Sequence, residues 1–265
     1  MRYAVGYQLA DEGEDSIVDI VRDYREQVAE VYFPWTDMAS GRAALATRRG
    51  YTDWTAQARL EEDLVVLRAL GVRLDLLLNA NCYGGLAVSE FLANQVTSLL
   101  EHLEDLVGGA DVVTTTSPFV AHVIKERFPQ VETRASVNMR IGTVQGFSYV
   151  ADLFDGYYVL RDHNRDLERI GEIKEWADAH DKRLLMLVNS GCLYSCSGQT
   201  FHDNLVAHER EADEVARFPG FLPHTCWRLF RDREHWPAFL QATWVRPEDV
   251  HHYDGIFQVG KLATR

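Results

Sequence analysis

Two of the four cysteines in this chain stand four positions apart, in Asn189-Ser-Gly-Cys192-Leu-Tyr-Ser-Cys196, directly after an apolar run. In a tight loop or helical turn that spacing brings both sulfurs to one side, an arrangement suited to a metal ion or an iron–sulfur cluster. Cys82 and Cys226 would complete a four-thiolate set. A 4Fe-4S cluster is the favoured expectation. A structural zinc is the first alternative, although such sites usually show two tight CxxC pairs, and plain burial as small apolar side chains is the second. His224 could replace one cysteine under either metal.

The other candidate residues fall at the ends of short apolar runs. They are Asn79, Asn81 and Cys82, then Asn138 and Arg140, then Arg161 and His163, then Asn189, and finally Lys261. So many amides and arginines at such ends suit a ligand carrying carbonyl, hydroxyl or carboxylate groups. The planar fork of arginine matches a carboxylate, which makes Arg140, Arg161 and Arg246 candidates for gripping an acidic small molecule. The plainer alternative is that each arginine pairs with a neighbouring acid at the rim, where ion pairs contribute little. His202 and His208 lie on different faces of a helix and cannot both reach one ion. His202, nearer the cysteines, is the candidate for catalysis or substrate contact, with Arg161 beside it.

The elements that must position these residues follow a strand–helix rhythm. Eight apolar runs rich in Val, Leu and aromatics read as strands: 3–9, 28–35, 72–79, 110–116, 132–138, 156–161, 183–189 and 255–261. Between them, apolar residues recur at helical spacing, as in Ile17, Ile20, Val21 and Tyr24, or Leu60, Leu64, Leu67 and Leu70. Asp15 or Ser16 can cap the first helix, and Gly71 and Gly108 can end later ones. Eight such units in 265 residues most simply close into an α/β (β/α)8 TIM-like barrel. An open doubly wound sheet would share the local pattern, but no glycine-rich dinucleotide fingerprint follows the first strand. The barrel is expected to lack its last helix and to carry a long irregular, cysteine-bearing insertion, 192–244, after the seventh strand. A connection that long is usually functional.

No linker, repeat or low-complexity tract interrupts the chain, so a single domain over 1–265 is expected. Residues Met1-Arg-Tyr-Ala-Val-Gly-Tyr lack the features of a secretion signal, and no apolar run approaches membrane-spanning length, so a cytoplasmic location without membrane contact is expected. A net charge of −13 disfavours non-specific nucleic-acid binding.

The segment Asn189 through Gly198 with Cys226, together with Val245-Arg246-Pro-Glu-Asp249 and Phe257-Gln-Val-Gly-Lys261, resembles the collagenase-like peptidase U family. That family includes the oxygen-independent hydroxylation proteins of ubiquinone biosynthesis and of RNA base hydroxylation. The resemblance implies a barrel with a 4Fe-4S cluster on four cysteines and, in hydroxylating members, prephenate as oxygen donor. Cys192, Cys196 and Cys226 correspond to cluster ligands; Cys82 has no secure counterpart, and Leu-Ala-Thr-Arg265 replaces the usual Gly-Arg after the lysine. An iron–sulfur hydroxylase or related oxidoreductase acting on a small, prephenate-like carboxylate is therefore expected. The alternative is an accessory protein whose iron–sulfur or zinc centre supports docking to a second barrel. Hydrolysis finds little support in the sequence, which has neither a Gly-x-Ser-x-Gly elbow nor His-Glu-x-x-His.

Overall fold

Each of the eight expected strands is present in the computed structural model, which describes residues 1–11, 13–36, 38–41, 53–213, 215 and 218–263. They are β1 (Arg2–Gly6), β2 (Val28–Phe33), β3 (Arg73–Leu78), β4 (Val112–Thr115), β5 (Glu132–Ala135), β6 (Gly156–Tyr158), β7 (Arg183–Leu187) and β8 (Val259–Lys261). Each pairs in parallel with the next, and β8 closes on β1 through Arg2 opposite Val259. The result is a closed eight-stranded parallel barrel with helices between the strands, a TIM-barrel fold.

Among the described residues six α-helices lie between β1 and β7: α1 (Ile17–Asp23), α2 (Trp54–Ala69), α3 (Glu90–Val107), α4 (Pro118–Arg127), α5 (Val144–Ser148) and α6 (Leu167–Ala179). Their starts are set by side chains that accept otherwise orphaned backbone N–H groups. Ser16, Asp53, Ser89, Ser117, Thr143 and Asp166 do this for the six in turn. Gly108 ends α3 in the left-handed conformation at φ 70°, where a side chain would be strained. The apolar face of α2 buries Leu60, Leu64 and Leu67 completely. Truncating any one of them to alanine costs about 2–5 kcal/mol in a packed core of this kind.

Most of the apolar core lies outside the barrel, between strands and helices. One cluster joins Val31, Phe33, Leu74 and Leu76 to α2, α3 and α4, and a second joins Tyr157, Leu184 and Met186 to Phe147 and Trp176. The interior is different, because alternate strand residues point inward and several are charged. Only small apolar groups form there, such as Ala4 with Tyr32 and Leu77.

The strands are shorter than expected at the end where the chain leaves the barrel. After β5 the chain turns into a 3₁₀ turn at Val137–Met139, with Ser136 accepting from the Asn138 N–H, and after β6 into another at Arg161–His163. The eighth strand starts at Val259 because Pro247–Tyr253 is a 3₁₀ segment followed by Gly255 at φ 80°. The described residues of the 192–244 stretch carry short helices, α7 (Gln199–Ala207), α8 (Glu209–Asp213), α9 (Thr225–Leu229) and α10 (Pro237–Leu240). Its ends meet: the Thr243 N–H donates to the Cys192 carbonyl at 3.0 Å, and the Val245 N–H to the Val188 carbonyl at 2.8 Å. The region is thus an excursion anchored beside the exit of β7. No described helix is long and apolar enough to cross a membrane.

Candidate active site at the barrel mouth

The inward residues at the lower, N-terminal part of the barrel form a network of paired charges. Arg134 Nη1 and Nη2 donate to the two carboxylate oxygens of Glu30 at 2.6 and 2.8 Å, and its Nε donates to Glu132 at 2.7 Å. Arg73 bridges Glu30 and Glu132 at 2.9 and 2.7 Å, and Arg183 donates to Glu132 at 2.7 Å. Arg134 and Glu30 are almost wholly buried, so each charge relies on the other. Burial alone would push Arg134 down, but the Glu30 carboxylate outweighs it and holds the guanidinium well above its ordinary value. Gly156 opposite makes this possible, since a Cβ there would sit 3.3 Å from Arg134 Cγ.

One layer higher the same kinds of residue are incompletely matched. Asp75, on the inward face of β3, accepts from Thr114 Oγ1 at 2.9 Å through one oxygen, while its Oδ1 has no hydrogen-bond partner among the described residues. Lys261 Nζ stands 3.8 Å from Asp75 Oδ2, 3.9 Å over the Tyr32 ring and 5.1 Å from the Tyr158 ring centroid. Burial pushes the Asp75 carboxyl up to about 6, against the pull of Lys261 and Arg134. Burial also pulls the Lys261 amine below its ordinary value, partly countered by Asp75. Burial holds the Tyr158 hydroxyl well above the ordinary tyrosine value, against the pull of the neighbouring Arg134.

Above this layer opens a small cavity of about 90 Å³. Its lining includes Asn79, Asn138, Arg161 and Lys261, four of the residues expected from sequence, together with Tyr32, Thr114 and Tyr158. It lies at the carboxyl ends of the strands, where barrels carry their chemistry. Arg161 Nη2 donates to Asn138 Oδ1 at 2.6 Å, and its Nε is buried with no partner among the described residues. Asn81 Nδ2 reaches the Asn138 carbonyl at 3.4 Å, with its own Oδ1 unpartnered among the described residues. Asn79 is committed differently: its Oδ1 accepts from Ser40 Oγ at 3.1 Å and from the Gly41 N–H at 2.9 Å, holding that loop against the mouth.

The remaining candidates from sequence have other engagements and do not line the cavity. Arg140 adopts φ 57° and donates to Thr200 on α7 at 3.1 Å. His163 meets the Gly142 carbonyl, Asn189 clamps the backbone of Ala263 through both its amide atoms, and Arg246 forms an exposed pair with Asp249 at 2.7 Å. His202, on α7, packs edge-on against His224 with ring centroids 4.6 Å apart. Sequence reasoning passed over Asp75, Tyr32 and Tyr158. The signal that could have found Asp75 is polar alternation inside strands, Arg73-x-Asp75 and Glu132-x-Arg134, because period-two polar residues in a closed parallel barrel face inward.

The cysteines divide. Burial raises the Cys226 thiol above its ordinary value, and the fields of Cys192 and Cys196 add to the rise, so these three share one neighbourhood. Thr225 packs against Gly198, which leaves no room there for a side chain and brings α9 beside the Cys196 loop. Cys82 lies on the loop after β3, where its sulfur accepts from the Gly84 N–H at 3.4 Å. Among the described residues no three His, Cys, Asp or Glu side chains are drawn tightly enough together to hold a metal ion. Cys192, Cys196 and Cys226 thus share a neighbourhood but, as placed, do not form a metal-ligand set.

Comparison with known proteins agrees with the resemblance of the Asn189–Gly198 and Val245–Lys261 segments. The chain is 22% identical over 249 residues to an uncharacterized protease of Methanocaldococcus jannaschii, covering 93% of this chain and 70% of that protein. The solved structure of the U32 peptidase Mk0906 superposes with a TM-score of 0.69 at 18% identity, over 100% of this chain and 94% of the other. A glycoside hydrolase family 5 mannosidase from Rhizomucor miehei shares the barrel at a TM-score of 0.51 and 11% identity, over 98% of this chain and 80% of that one. No protein-family model matches the chain.

Proposed function

We propose that this barrel, whose whole-length likeness supports the peptidase U32 family, is an enzyme that holds a small carboxylate-bearing molecule in its mouth cavity. The observation that carries the reading is Arg161: a guanidinium with one arm fixed by Asn138 and a buried Nε left without a partner beside the cavity. A carboxylate of the ligand would complete the fork, because an unmatched buried N–H is costly and a charge-assisted pair relieves it. Asn81 Oδ1, unpartnered on the neighbouring loop, offers an acceptor for a ligand hydroxyl. Lys261, at the floor, presents the second cation.

The finer reading is oxygen-independent hydroxylation. Cys192, Cys196 and Cys226 would hold a 4Fe-4S cluster, with Cys82 as the candidate fourth ligand, or a zinc in the structural alternative. When bound, such a cluster supplies one-electron transfer or a Lewis-acidic iron. In this reading Arg161 and Asn138 fix the acid group, Asn79 keeps the Ser40–Gly41 loop over the site, and the aromatic rings of Tyr32 and Tyr158 keep water from its floor. A prephenate-like acid has the carboxylates such a site would grip. A second barrel remains the candidate partner if the centre serves docking. Peptide hydrolysis is the second reading, favoured by the protease and peptidase names of the relatives.

Protein prepared without oxygen is expected to be brown and to contain about four irons with matching sulfide, and Cys192→Ser to lose both. A colourless protein with one zinc overturns the hydroxylase reading. For the mouth, Arg161→Gln is expected to weaken binding of a small dicarboxylate, read by calorimetry, at least about tenfold, the loss of one charged hydrogen bond. Unchanged binding removes Arg161 from the site. Cleavage of a peptide by the wild-type protein, lost in Cys192→Ser, would instead favour hydrolysis.

A further inference from the structure

The chain has four lysines against twenty-three arginines, and three of the four are occupied. Lys125 Nζ donates to both oxygens of Asp155 at 2.6 Å, Lys174 donates to Asp178 at 2.5 Å, and Lys182 donates to the carbonyls of Ala151 and Phe154 at 2.6 and 2.8 Å. Lys261 is unlike them. It is buried inside the barrel, it makes no hydrogen bond among the described residues, and its nearest carboxylate oxygen is 3.8 Å away. Its amine lies on the floor of the mouth cavity between two tyrosine rings.

An arginine would keep its charge in that place and could fork across Asp75, as Arg134 does across Glu30 one layer below. A lysine can give up its proton when desolvated and become a nucleophile. The charged groups around it are Asp75 from β3, Glu30 from β2 and Arg134 from β5. Glu30 is already taken by two arginines, so Asp75 is left as the proton acceptor for Lys261.

We propose that Lys261 forms an imine with a carbonyl group of the molecule held at the mouth, so that the substrate class is a carboxylic acid bearing a ketone or aldehyde. This rests on the reading of the cavity as a carboxylate site. Asp75 takes one proton from the ammonium and frees the nitrogen lone pair, which attacks the carbonyl carbon. A second nitrogen proton moves to the oxygen, giving a carbinolamine. Asp75 returns its proton to the hydroxyl, which leaves as water while the lone pair forms the carbon–nitrogen double bond. One ammonium and one carbonyl give one protonated imine and one water, with no change of oxidation state, and the Asp75 carboxylate is regenerated beside the new cation. The burial that keeps Asp75 partly protonated near neutrality suits it to both transfers.

The test uses the full chain with pyruvate as probe, followed by sodium cyanoborohydride and peptide mass mapping of all four lysines. Pyruvate binding without reductant is measured in parallel by ligand-observed NMR. The expected result is a reduced adduct on Lys261 exceeding that on Lys125, Lys174 or Lys182 at least about tenfold, since of the four only Lys261 is held beside the bound carbonyl. Lys261→Arg, which keeps the charge, should bind pyruvate and form no adduct there. Asp75→Asn should bind pyruvate and form the adduct more slowly. Binding without an adduct on Lys261 overturns the imine and leaves the carboxylate site standing. Loss of both binding and adduct removes both, and an adduct spread evenly over the four lysines also overturns the imine.

Discussion

The lower and upper layers of the barrel interior are made of the same materials, acids and cations on alternate strand positions, but only the lower one is fully matched. Below, Arg134, Glu30, Glu132, Arg73 and Arg183 close a network in which the central guanidinium donates from all three nitrogens. Above, Asp75 Oδ1 and Arg161 Nε have no hydrogen-bond partner among the described residues, and Lys261 stands off its carboxylate. A buried polar group that lacks a partner costs stability, so its retention points to a role other than holding the fold. The lower layer is a structural plug; the upper one is where a ligand can complete the bonding.

The sharpest way to break that comparison is to remove Arg134. Arg134→Met leaves the buried Glu30 with Arg73 as its one remaining arginine among the described residues and is expected to cost about 3–5 kcal/mol in urea unfolding, the usual consequence of breaking a buried pair on one side. A loss under about 1 kcal/mol would mean that the lower layer is no more structural than a surface pair.

The next effect is a pH dependence that belongs to the upper layer alone. Burial raises Asp75 from its ordinary 3.8 to about 6, so between those values the folded protein keeps a proton that the unfolded chain has released. Its contribution is therefore favourable at low pH and is lost as the pH rises through about 6. The wild-type protein should lose on the order of 2–3 kcal/mol relative to Asp75→Asn between pH 4 and 7, at about 1.4 kcal/mol per pKa unit. Parallel stability profiles for the two proteins would show that Asp75 is as well satisfied as Glu30 and would erase the distinction between layers.

The smallest effect sits at the rim. Arg246 and Asp249 are solvent-exposed partners at 2.7 Å. Arg246→Ala should change stability by about 0–1 kcal/mol and leave dicarboxylate binding as it was. Weakened binding would bring Arg246 back into the site and extend the upper layer beyond the cavity.

Much of the scaffold was legible because it rests on local chemistry. Ser16 caps α1 and Gly108 closes α3 as their types require, and the apolar spacing of α2 predicts which leucines it buries. The strand ends were less legible. Asn138 and Arg161 sit on 3₁₀ turns that leave the barrel, where the sequence reads as continued strand, because a residue's distance from the mouth depends on where the chain turns away. Asn189 and His163 look the same as Asn138 and Arg161 in sequence, yet both are consumed by backbone contacts with segments far along the chain. The cysteine pair was visible from its spacing, and the nearness of Cys226 follows only from α9 folding back on the Cys196 loop.

By itself the sequence determined eight strand–helix units, their caps and the apolar faces that wrap them, since each depends on residues within a turn or two of one another. It also determined that charge alternates along β3 and β5. Closure of the barrel decided the rest. Tyr32, Asp75, Tyr158 and Lys261 come from four separate strands, and only the register that joins β8 to β1 sets them around one floor with one carboxylate oxygen unpaired among the described residues. Local propensity fixes which way a side chain points; which neighbours it meets, and which hydrogen bonds are left over, is a property of the closed sheet.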